Sequence, residues 1–79
     1  MVNRSKVLVV WHDAHSGDDG WHTAGDIDSE PCVVESVGWL LPDAKAGHVV
    51  VVQSVLTHDE SLDGVLCVPV GMVVSVQIL

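Results

Sequence analysis

Short apolar runs divided by glycine, proline and aspartate set the rhythm of this chain. Val7 to Trp11 is a continuous apolar run, of the kind buried on both faces or at a subunit contact. Cys32 to Leu41 is a second strand, interrupted by Glu35 and Ser36. Its Gly38 marks a bulge or sharp bend where the strand can pass from one sheet to the next. Pro42 to Gly47 is turn chemistry, and His48 to Leu56, centred on Val49 to Val52, is the third strand. Thr57 to Gly64 reads as an acidic turn, and Val65 to Val68 as a short fourth strand. Pro69-Val70-Gly71 then breaks the ladder, because proline donates no hydrogen bond and glycine tolerates positive φ. Met72 to Leu79 is the fifth strand, where Ser75 and Gln77 alternate with Val74, Val76 and Ile78 in a clean period of two.

The pattern predicts an all-β domain of five strands and no helix. Composition agrees: eighteen of the 79 residues are valine, while Phe and Tyr are absent. A β-branched side chain loses little χ1 freedom on a pleated surface and packs well there. Tight turns, one strand bent at a glycine and a brief break before the last strand point to a closed or half-closed barrel. This arrangement is similar to the SH3-like and Sm-like small barrels, in which a turn of 3₁₀ helix commonly separates the final strands. Closure would also remove exposed edges, which a valine-rich chain needs in order to avoid aggregation. An OB-type barrel fits less well, since the acidic turn is too short for the helix that fold inserts there.

His12 to Glu30 has neither a helical nor a strand period and carries three glycines, so it is a loop between the first two strands. Loops of this length tend to be functional or mobile. The chain is one domain, residues 1–79, near the lower size limit for an autonomous core. Its two cysteines, Cys32 and Cys67, lie within apolar runs and are expected to be buried free thiols, consistent with a reducing, cytoplasmic setting. The apolar run after Lys6 stops at His12-Asp13, short of a signal peptide and far short of a membrane span. Net charge is −8, with Arg4, Lys6 and Lys45 as the only Lys or Arg residues. Three cations cannot neutralise enough phosphates to hold duplex DNA, so a basic partner or a cation suits the sign better.

Polar chemistry concentrates in the loop, at His12, Asp13, His15, Asp18, Asp19 and His22. Imidazoles with carboxylates suit zinc, manganese or nickel, which makes His12, His15 and His22 candidate metal ligands. The spacing matches no metal-site fingerprint, and residues i and i+3 of an extended strand face opposite sides. A solvated acidic loop explains the same residues without any cofactor. Trp11, Trp21 and Trp39 are the only aromatics. Trp39 is expected in the core or at a subunit contact. Trp21, between Gly20 and His22, is expected to fold back as a plug over the barrel, or otherwise to stack on an external group. Ser16, Ser29 and Cys32 are potential nucleophiles, but no motif places a base and an orienting group beside them, so the chain reads as a non-enzyme.

Four segments also carry a resemblance along most of the chain: Trp11-His12-Asp13-Ala14-His15, Asp19-Gly20-Trp21, Ser36-Val37-Gly38-Trp39-Leu40 and Val68-Pro69-Val70-Gly71-Met72-Val73. In these the protein resembles small bacteriophage and prophage proteins, particularly of actinobacteria, for which no catalytic residues are assigned. The resemblance implies a viral accessory protein acting in the host cytoplasm. The apolar runs add an expectation of homo-oligomers, since they exceed what a small monomer can bury with one face in water. Trp11, Asp13, His15, Asp19, Trp21 and His22 are the expected binding residues. The expected partner is a host protein, with two alternatives: a nucleotide immune signal held between subunits, and a structural role in the virion.

Overall fold

The computed structural model describes residues 4–17 and 20–79. Five strands, β1 (Lys6–Asp13), β2 (Cys32–Leu40), β3 (His48–Val55), β4 (Leu62–Pro69) and β5 (Val73–Ile78), form one antiparallel sheet in the order β4-β3-β2-β1-β5. The only helical elements among the described residues are two 3₁₀ turns, Ala24–Asp26 and Val70–Met72. The all-β, five-stranded reading therefore holds, including the 3₁₀ turn between the last two strands. β4 begins earlier than expected, because Leu62 and Asp63 continue the hairpin ladder opposite Val55 and Ser54.

The sheet does not close. β4 and β5 stand at opposite edges and do not pair, so of the closed and half-closed forms expected the closed one falls away and the sheet is open. The 3₁₀ turn that Pro69 begins leads into β5, which pairs with β1 along one edge and leaves its other edge unpaired. β2 and β3 share only the pairs Trp39↔Val52 and Leu40↔Val51, so the β3–β4 hairpin is attached by a short seam. A hydrogen bond from Val70 N–H to the Gly47 carbonyl (3.0 Å) ties that turn to the loop before β3. At the other end, Arg4 meets Glu60 at 3.6 Å, joining the N-terminal segment to the β3–β4 turn.

Alternation along β1 and β2 creates two faces. Val7, Val9 and Trp11 share the inner face with Val34, Ser36 and Gly38, while Leu8, Val10 and His12 share the outer face with Val33, Glu35 and Val37. The inner core is Val7, Val9 and Val51, flanked by Trp11, Leu40, Val49, Leu66 and Val73. All five strands lie in one sheet, so Gly38 is not a bend where β2 passes to a second one. It lets β2 cross close over β3, since a Cβ there would lie 2.8 Å from the Val52 carbonyl oxygen. The cysteines are free, as expected, but Cys32 is half-buried and Cys67 exposed, so neither is the buried thiol anticipated. Cys67 lies opposite Val50 on the hairpin, and its strand neighbour Val68 takes the buried position instead.

Candidate functional site

β1 and β2 are held in register up to the pair Asp13↔Cys32, which forms the neck of the segment between them. Beyond that neck every described residue through position 31 is exposed. The segment is an arm, organised by its own short-range bonds. Thr23 N–H and Oγ1–H both donate to the Asp26 carboxylate, at 3.3 and 3.0 Å, while Asp26 N–H returns to the Thr23 carbonyl at 3.0 Å. This reciprocal cap starts the 3₁₀ turn Ala24–Asp26. Glu30 N–H then donates to Asp28 Oδ1 at 2.9 Å, an Asx-type turn that leads the chain back to β2. The longest dimension of the molecule is 53 Å, against widths of 22 and 21 Å. Strands of eight or nine residues reach only about 30 Å, so the arm and the β3–β4 hairpin, attached at the far end of β2, together draw out the long axis.

The expected binding residues divide at the neck. Trp11 belongs to the sheet: it packs on the core, and its Nε1–H donates to Ser36 Oγ at 3.0 Å. That satisfies the one donor a buried indole carries. His12 is half-buried on the outer face opposite Val33, and Asp13 is exposed at the neck. His15 and His22 come together, lining an open cleft of about 460 Å³ with Ser16, Asp26, Ile27 and Asp28. Asp18 and Asp19 lie outside the described residues. Trp21 is not a plug. At 103 % relative exposure its ring meets solvent on all sides, and the open sheet offers no closed barrel for it to cover. Trp39 is 36 % exposed on the outer face, nearer to a contact residue than to a core one.

Asp26, Ile27 and Asp28 are cleft residues that the sequence reading missed. The spacing Thr23-x-x-Asp26 was the available signal, since it matches a capping box that fixes a local turn. Six of the eleven acidic residues fall between positions 13 and 30, a stretch with no Lys or Arg. The arm and its neck together therefore carry just over half of the acidic residues, and the arm carries the most exposed aromatic ring. For metal binding the geometry is thin: His12 stands apart on β1, and no group of three or more His, Cys, Asp or Glu among the described residues is arranged to hold an ion. No described helix is long and apolar enough to cross a membrane.

No protein-family model, curated protein or solved structure matches this chain.

Proposed function

We propose that this protein is a non-enzymatic, homo-oligomeric accessory protein of bacteriophage type that grips a basic host protein through its acidic arm in the host cytoplasm. The observation that carries the reading is Trp21, fully exposed on an arm of acids and histidines. A large apolar ring held in water is unfavourable unless a partner covers it, and buried Trp side chains anchor many protein interfaces. Asp13, Asp26 and Asp28 supply the rim that a cationic surface would meet, steering encounter more than setting affinity. His15 and His22, which line the arm cleft, add hydrogen-bonding groups to that contact.

The alternative of a nucleotide held between subunits is less well supported. Phosphates need donors or cations, and none of Arg4, Lys6 and Lys45 is among the described residues lining the arm cleft. A structural role in the virion has no feature of its own in its favour.

Affinity capture from host lysate with the wild-type chain, against a Trp21→Ser variant, tests the proposal. The expected result is one basic host protein retained by the wild type and lost with Trp21→Ser, with retention weakening as salt is raised. Equal recovery by both chains would overturn the arm as the binding element. A large thermal shift with cyclic nucleotides and no captured protein would favour the ligand-binding alternative.

A further inference from the structure

The two edge strands of the sheet are protected to different degrees. Along β4, Asp63 carries a charge and Pro69 lacks an N–H, while Gly64 at φ +72° interrupts the ladder between the pairs Val52↔Val65 and Ser54↔Asp63. These are the devices by which natural edges resist pairing with a neighbour. β5 has none of them: Val73-Val74-Ser75-Val76-Gln77-Ile78 contains no charge, proline or glycine. It does carry a bulge beside Val10 and Trp11, but that irregularity lies at its start and leaves the rest of the strand regular.

Hydrogen bonding on the inner side of β5 shows what is left on its outer side. Leu79 N–H donates to the Lys6 carbonyl at 2.8 Å, next to the pairs Val7↔Ile78 and Leu8↔Gln77. In an antiparallel ladder the hydrogen-bonded pairs alternate, so Leu8↔Gln77 and Val10↔Ser75 exchange bonds within the sheet. The backbone groups of Val76 and Ile78, and of Val74 at the bulge, then point to the free edge. The same residues leave side chains in water: Val74, Val76 and Ile78 are 57 %, 42 % and 72 % exposed, although Val7 and Val9 opposite the last two are fully buried. Period-two patterning marks these positions for burial, and one copy of the chain does not bury them.

Surface area sets the scale of the missing contact. The chain exposes 5952 Å². A compact monomer of 8.4 kDa would expose about 4,600 Å², an excess that the exposed arm shares with the uncovered β5 edge, and a standard interface covers about 800 Å² per partner. Charge selects the occupant. Two copies at net −8 repel each other, and β5 lets them approach along a strand that bears no charge. The strand is also complementary to itself. An antiparallel two-fold through Val76 sets Val74 opposite Ile78 of the second copy, giving an apolar row on the core face, and sets Ser75 opposite Gln77, a hydroxyl–amide pair on the outer face.

We infer that β5 is the homo-oligomer contact: two copies pair β5 with β5, antiparallel about Val76, into one continuous ten-stranded sheet. The inference deepens the homo-oligomer part of the proposed function and is independent of what the arm binds.

Sedimentation of the full chain at micromolar concentration tests it, with Val76→Pro as the probe. Proline there removes an N–H that points to the free edge, a position where sheets tolerate it. The expected result is a wild-type mass of twice 8.4 kDa that falls to monomer in Val76→Pro with an unchanged circular dichroism spectrum. Should Val76→Pro unfold, Ser75→Lys takes its place, bringing a like charge onto the outer face near the axis, again with loss of the dimer expected. A dimer indifferent to the substitution would overturn the β5 contact and leave the homo-oligomer reading intact. Rings larger than a dimer that Val76→Pro dissolves would also overturn it, since β5 would then pair with β4 of the next copy. A wild-type monomer would overturn both the contact and the homo-oligomer, while lysate capture by Trp21 would still judge the arm.

Discussion

Val7 to Val10 and the described residues of 14–31 are separated only by Trp11, His12 and Asp13 but meet water on opposite terms. In β1, Val7 and Val9 are fully buried, and each is held between β2 on one side and β5 on the other. In the arm every described residue is exposed, and order comes from bonds spanning two or three residues, such as Thr23 to Asp26 and Asp28 to Glu30. The first region gains its stability from apolar area removed from water through long-range pairing. The second gains almost none and is free to present Trp21. A small domain can carry a polar arm of this length only because the remaining strands hold together without it.

The sharpest way to break this contrast is to place a charge on each side of the neck. Val9→Asp buries a carboxylate with no partner and should cost at least about 4 kcal/mol, enough to abolish cooperative thermal unfolding in so small a domain. Trp21→Asp should leave the melting temperature within experimental scatter, because its side chain touches only solvent. Glycines give a finer comparison. In Gly38→Ala the new Cβ would meet the Val52 carbonyl oxygen at 2.8 Å, and backbone cannot yield as a side chain does. A loss of about 2–3 kcal/mol is expected by chemical denaturation. Gly25→Ala in the arm meets nothing nearer than Thr23 Oγ1 at 4.0 Å and should change stability by less than about 0.5 kcal/mol.

Trp11→Phe sharpens the comparison at the neck. It keeps an aromatic ring on the core but removes the Nε1–H donor to Ser36, so about 1 kcal/mol should be lost. Host-protein capture should be unaffected if the ring of Trp11 belongs to the sheet. The smallest effect lies in the β3–β4 turn. Asp59 accepts a backbone hydrogen bond from Ser61 N–H at 2.9 Å, and the Ser61 hydroxyl adds to it, so its carboxyl titrates below the ordinary aspartate range. A depressed folded-state pKa contributes stability above the unfolded value, and that contribution is lost as pH falls through the folded one. Ser61→Ala removes only the lesser, hydroxyl part. An NMR titration should therefore move Asp59 upward while leaving it below an unperturbed aspartate.

Much of the sheet was legible because strand signals are local. The valine runs, the turn at Pro42 to Gly47 and the break at Pro69 each state a conformational preference within a few residues. β4 was read too short because Leu62, Asp63 and Gly64 have the composition of a turn, and only pairing with β3 extends the ladder through Leu62 and Asp63. The site was legible as a polar segment between two strands. The union of His15 and His22 with Asp26 and Asp28 was not, since it depends on how the Thr23 turn folds the arm back. The place of Trp21 was hidden for a similar reason: its apolarity argues for a plug, but a plug needs a closed barrel, and whether the sheet closes depends on which strands pair.

Residue types alone thus determined that this is a small, acidic, valine-rich β-domain with one long polar interruption, because propensity, charge and turn chemistry act over short stretches of chain. Tertiary structure decided that the sheet stays open, that Gly38 serves a close crossing, that Trp11 is inside and Trp21 outside, and that β5 keeps an unprotected edge. Each of these depends on which strands become neighbours, and a backbone group or side chain is satisfied or left in water only once its neighbours are in place.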